Sequence, residues 1–186
     1  MTYEEILGKR NISSNIPLVY EGRELSREMK ATVVLMKVSY DKVATEFDKD
    51  MQEVLKGLKK DGFDDRSRDI QKMEEIDKRK ERYDNGEKDA IAPTDEELKE
   101  AEKILETKED YDKEVKELDE SYRKAYIEKL KEPVKFTERK LSSSDLAEII
   151  GMLGTDGDIE ININGNKTMV SKESFISLIA SELVSM

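Results

Sequence analysis

Apolar residues along this chain fall into long helical stripes. Met29, Val33, Met36, Tyr40, Val43, Phe47, Met51, Val54 and Leu58 recur at spacings of three and four, and Ala101, Ile104, Tyr111, Val115, Leu118, Tyr122 and Ala125 repeat the pattern with one gap of seven. Such spacing puts each set on one narrow helix face that must leave water by meeting another helix. Ser26 is placed to cap the first helix, which the pattern predicts over 26–58, about 50 Å of rod. Its stripe slips by one position at Met51, which locally unwinds a strict supercoil. A shorter helix is predicted over 65–83, with Ile70, Met73 and Ile76 on one side and Asn85-Gly86 as its stop. Thr94-Asp95-Glu96-Glu97 is a capping box that opens a helix over 94–131, ended by Pro133. Four acid-before-base pairs lace that helix at i,i+4: Glu109 with Lys113, Asp112 with Lys116, Asp119 with Arg123 and Glu120 with Lys124.

The last 45 residues change period. Ser143 or Ser144 can cap a short helix carrying Leu146, Ile149, Ile150 and Leu153, closed by Gly154. Ile159, Ile161 and Ile163 then alternate with polar residues up to Asn164-Gly165, the pattern of a β-hairpin. Ser171 caps a terminal helix with Phe175, Ile176, Ile179 and Leu183 inward. The fold class expected is mainly α: a long, coiled-coil-like helical hairpin with a small C-terminal α-β-β-α module. Four parts follow: an N-terminal extended segment (1–25), the helical hairpin (26–132), a basic linker (133–141) and the module (142–186). Pro17 makes Leu18–Tyr20 an edge strand ahead of a Glu21-Gly22 turn, and a candidate third strand for the module's sheet.

Composition removes whole classes of chemistry. With no cysteine there are no disulfides, zinc-thiolate sites, iron–sulfur clusters or thiol nucleophiles. With no histidine, the usual general base and the Ser-His-Asp and Cys-His arrangements are gone as well. No stretch approaches the roughly 18 apolar residues of a membrane span. The opening Met1-Thr2-Tyr3-Glu4-Glu5 lacks a basic-then-apolar signal pattern, so the cytoplasm, or a virion assembled there, is the expected location. Charged residues reach 41% against 36% hydrophobic, which suits thin helical layers better than a thick core.

What chemistry remains is carboxylate-bound metal. Glu97 with Glu100, and Glu109 with Asp112, have the Glu-x-x-Glu and Glu-x-x-Asp spacing, and in this the chain resembles the all-α nucleoside triphosphate pyrophosphohydrolases. That resemblance implies magnesium-dependent nucleotide hydrolysis. Both pairs fall on one expected helix, however, whereas the family places them on two, and a segment so rich in acids generates the spacing by chance. A solvated helix face is the favoured account. Glu160-Ile161-Asn162-Ile163-Asn164-Gly165 echoes the start of a calcium loop, but position twelve is Ser171 in place of glutamate, and the hairpin reading is preferred.

Two basic clusters occur, Lys78-Arg79-Lys80 with Arg82, and Lys129, Lys131, Lys135, Arg139 and Lys140. The net charge of −11 repels phosphate, so direct nucleic-acid binding is not expected. The converse is a DNA mimic: the chain is similar to small, acidic, cysteine-free phage inhibitors of bacterial defence, with Asp156, Asp158 and Glu160 clustered beside the hairpin. The middle segment interleaves its signs, which weakens mimicry there. The sequence favours a non-enzymatic interaction or assembly protein, such as a scaffold, an assembly chaperone or a virion component, without cofactor, metal or small-molecule substrate. Its expected contacts, with a protein partner or a second copy, are Met29, Val33, Met36, Tyr40, Val43, Phe47, Tyr111, Val115, Leu118, Tyr122, Ile159, Ile161, Ile163, Phe175 and Ile179.

Overall fold

The computed structural model describes residues 1–163 and 165–185; the expected Asn164-Gly165 turn therefore lies partly outside the described residues. Elements run in the order α1 (Tyr3–Ser14), β1 (Val19–Tyr20), β2 (Arg23–Glu24), α2 (Arg27–Leu58), α3 (Phe63–Asp84), α4 (Asp95–Leu130), α5 (Ser143–Leu153), β3 (Asp158–Ile163), β4 (Asn166–Ser171) and α6 (Lys172–Leu183). The fold is mainly α, with two long helices and a C-terminal α-β-β-α unit. Two compact units divide the chain: residues 1–51 with 127–186, and residues 52–126.

The first unit holds the larger core. On α2, Met29, Val33, Met36, Tyr40, Val43, Ala44, Phe47 and Met51 are all buried, and each buried Val, Met or Phe side chain contributes about 1.5–3 kcal/mol by leaving water. Ile149, Met152 and Leu153 from α5 and Phe175, Ile176, Ile179 and Leu183 from α6 are buried in the same unit. Rings of Tyr3 and Phe47 lie 5.2 Å apart, and those of Tyr40 and Phe136 5.3 Å apart. Strands β3 and β4 pair antiparallel from Asp158↔Ser171 to Ile163↔Asn166 and turn Ile159 and Ile161 inward.

Four expectations are corrected here. Residues 1–25 are not extended throughout, because Tyr3–Ser14 is a helix opened by a capping box in which Thr2 and Glu5 exchange hydrogen bonds of 3.3 and 2.7 Å. Leu18–Tyr20 adds no strand to the C-terminal sheet. Instead, Val19–Tyr20 pairs with Arg23–Glu24 across Glu21-Gly22, both at positive φ, as a tight two-residue hairpin requires. The cap of α5 is Ser142, which accepts from the Asp145 amide at 3.2 Å, in place of Ser143 or Ser144. Residues 133–141 act as a packed strap: the Val134 amide donates to the Met1 carbonyl at 2.8 Å, and fully buried Leu141 is held by Leu183 and Ser185 at 2.8 and 2.9 Å.

The second unit is a thinner assembly. Gly62, at φ 74°, opens α3, and a Cβ there would stand 3.0 Å from Arg66 Nη1. Met73, Ile76 and Ala101, with Leu98 and Ile104 against them, form a narrow apolar contact between α3 and α4. Ion pairs flank it: Arg66–Glu114 (2.7 Å), Lys72–Glu100 (2.6 Å) and Arg79–Glu97 (2.5 Å), in an order that sets the two helices antiparallel. Of the four expected i,i+4 pairs on α4, Glu109–Lys113 (2.9 Å) and Asp119–Arg123 (3.1 Å) form.

Candidate functional site

Helix α2 is apolar on two faces. Its inner face is core, but Val34, Leu35 and Val38 remain 43%, 46% and 58% exposed, and Ala31 is exposed beside them. Positions 31, 34, 35 and 38 follow the i, i+3, i+4, i+7 rule and so share one surface stripe. Singly exposed apolar residues are ordinary; these four lie together on one side of the helix. Glu28 and Lys42 lie one turn or so beyond either end of the stripe; both are exposed, and among the described residues neither side chain has an ion pair or hydrogen bond. Asp41, next to Lys42, is engaged by Arg10 at 2.6 Å.

The stripe stands on a helix that is anchored along its length. Ser26 Oγ accepts from the Met29 amide at 3.2 Å, and Lys30 N–H bonds the Ser26 carbonyl at 2.9 Å, so Ser26 is the N-cap. A local capping box needs Glu or Gln at position 29, where the chain has Met. Glu148 of α5 supplies that carboxylate, accepting from the Ser26 amide and, at 3.1 Å, from its hydroxyl. Further along, Lys37 donates to the Ile16 carbonyl at 2.9 Å, and burial holds its ammonium below the ordinary lysine range. Tyr40 donates to Glu138 at 3.4 Å; burial first, and then the Glu138 charge, push its phenol well above the ordinary tyrosine range. Glu138 also receives Lys9 at 2.5 Å. Near the end of the helix, Lys129 bridges Asp50 and Glu132 at 2.8 Å each, and those hydrogen bonds hold its ammonium above its usual range.

The sequence-predicted contact residues divide by burial. Met29, Val33, Met36, Tyr40, Val43, Phe47, Ile159, Ile161, Phe175 and Ile179 are brought together as interior of the first unit, while Ile163 stays 44% exposed. In the second unit Tyr111, Leu118 and Tyr122 are half-buried, with Val115 at 37% exposure. Sequence reasoning missed the outer stripe of α2. The signal was present: between Ala31 and Val38 only Thr32 and Lys37 are polar, so the apolar positions there exceed what one face can hold.

Three of the four carboxylates singled out for magnesium, Glu97, Glu100 and Glu109, have other occupations, as does Glu160 of the calcium-like run. Glu97 accepts from the Thr94 amide at 2.8 Å and pairs with Arg79, which together hold its carboxyl below the ordinary range. Glu100 binds Lys72, Glu109 binds Lys113, and Glu160 binds Lys167 at 2.8 Å. Among the described residues no group of three or more Asp or Glu side chains is arranged to hold a metal ion, and no helix is long and apolar enough to cross a membrane. No protein-family model, curated protein or solved structure matches the chain.

Proposed function

We propose that this chain is a non-enzymatic interaction or assembly protein that associates through helical surfaces. The observation that carries the reading is the outer stripe of α2, apolar and exposed on a helix whose other face is already saturated by the core. Covering Val34, Leu35 and Val38 would return to association the hydrophobic free energy that folding leaves unused. Because α2 is capped, pinned and packed from Ser26 to Met51, the stripe is presented on a rigid element, so little conformational entropy is lost on contact.

The test compares wild type with Leu35→Asp as immobilised bait in extract of the native host, with circular dichroism of both. The expected result is a defined partner retained by wild type and lost by the variant at unchanged helix content. Equal retention by both removes the stripe from the function. Magnesium-dependent nucleotide hydrolysis that Glu100→Gln abolishes would replace the reading with an enzymatic one.

A further inference from the structure

The charges that frame the stripe identify what covers it. Glu28 and Lys42 each lie seven residues from Leu35, about 10 Å along the axis on either side, and they carry opposite signs. A second α2 running antiparallel, with a two-fold axis beside Leu35, sets Glu28 of one copy against Lys42 of the other, twice. The same operation sets Ala31 against Val38 in both directions and Leu35 against itself. Parallel pairing in register would oppose Glu28 to Glu28 and Lys42 to Lys42. The stripe is thus self-complementary in one orientation only, which is the condition for an isologous contact.

We propose that the Glu28–Lys42 face of α2 is a homodimer surface, on which two copies of this chain pair antiparallel about Leu35. The inference rests on the association reading above and names its partner. Both framing charges lack a partner within the described residues of the chain, so pairing them costs no existing bond. Arg27, exposed one residue before Glu28, comes beside Asp41 of the second copy, where Arg10 already shows that the carboxylate takes a guanidinium. One helix face of four turns gives an interface near the lower limit of specific ones, about 1,000 Å² in total, so the dimer dissociates on dilution.

Sedimentation equilibrium of the full chain, over a concentration series at low salt, tests this. Wild type should show a reversible monomer–dimer equilibrium. Glu28→Lys alone and Lys42→Glu alone should each raise the dissociation constant at least about tenfold, because each places like charges at both framing contacts. An equimolar mixture of the two variants should recover a dimer, since both contacts then join opposite signs. Leu35→Asp should stay monomeric in any mixture. All the altered residues are exposed, and unchanged circular dichroism verifies the fold. A wild-type chain that stays monomeric at every concentration, or a mixture that fails to pair, overturns the proposal. A dimer that survives Leu35→Asp overturns this face while leaving association as such intact, and a wild-type monomer whose bait still loses its partner on Leu35→Asp leaves the stripe in function with a different occupant.

Discussion

The two compact units hold their helices together by different means. In residues 1–51 and 127–186, helix α2 buries a continuous apolar face, and α5, α6 and the β3–β4 hairpin add theirs. In residues 52–126, the buried apolar side chains among the described residues are Ile70, Met73, Ile76 and Ala101, and salt-bridged pairs do much of the remaining alignment. Apolar burial is not screened by salt and does not itself discriminate sign. Charge pairs contribute less free energy apiece but discriminate direction, because a slipped register opposes like charges. One unit is thus stabilised mainly by area and the other is specified largely by sign.

Several substitutions break or sharpen that contrast. The largest effect is expected from Phe47→Ala, which removes a ring 2% exposed and packed at a tilt against Tyr3 and should cost about 3–5 kcal/mol in urea unfolding of the first unit. Met73→Ala, in the thinner unit, should cost about 2–3 kcal/mol, less because the narrow contact collapses more readily around the gap. Hydrogen exchange by mass spectrometry should show the loss across α3 and the facing part of α4. A smaller change, Glu138→Gln, leaves Lys9 without its charge partner and weakens the bond from Tyr40, for about 1–2 kcal/mol in the first unit. An unchanged midpoint would show that the strap at 133–141 is held without Glu138, by the Val134–Met1 hydrogen bond and the packing of Phe136 and Leu141.

One group in each unit gives a prediction at one end of the pH scale. Tyr40 has a folded pKa raised above the unfolded value of about 10, so its contribution is fully present below that value and is lost as pH rises through the folded one. Tyr40→Phe should therefore flatten the alkaline fall in stability of the first unit. Lys37, lowered by burial, acts in the opposite sense and is common to both proteins in that comparison. Glu97 has a folded pKa below its unfolded value, chiefly through the Thr94 amide, so its contribution is present above the unfolded value and lost as pH falls through the folded one. Glu97→Gln should give the smallest effect, a shallower acid dependence of hydrogen exchange at the start of α4. An identical acid profile in wild type and variant would assign the cap to Thr94 alone.

Where a local signal is backed by a long apolar period or a turn pair, the chain states its own structure. The stripe from Met29 to Met51, the capping box at Thr94, the stop at Asn85-Gly86 and the alternation from Ile159 to Ile163 all place elements within about two residues of where they stand. Helix α1 was equally local in its Thr2–Glu5 box, but Gly8, Asn11, Ser13 and Ser14 weaken its propensity and its apolar face is short. Tertiary contacts supply the difference, through Ile6, Lys9–Glu138 and Arg10–Asp41.

Sequence periodicity alone determined that α2 and α4 are long helices with faces to cover, since backbone geometry converts spacing of three and four directly into a shared side. Which faces were covered from within was decided by the tertiary structure. Burial depends on chain segments far apart in sequence, and only their arrival at α2 saturates the Met29–Met51 face and leaves Ala31, Val34, Leu35 and Val38 in water. The same distance in sequence separates Ser26 from Glu148, the carboxylate that completes its cap.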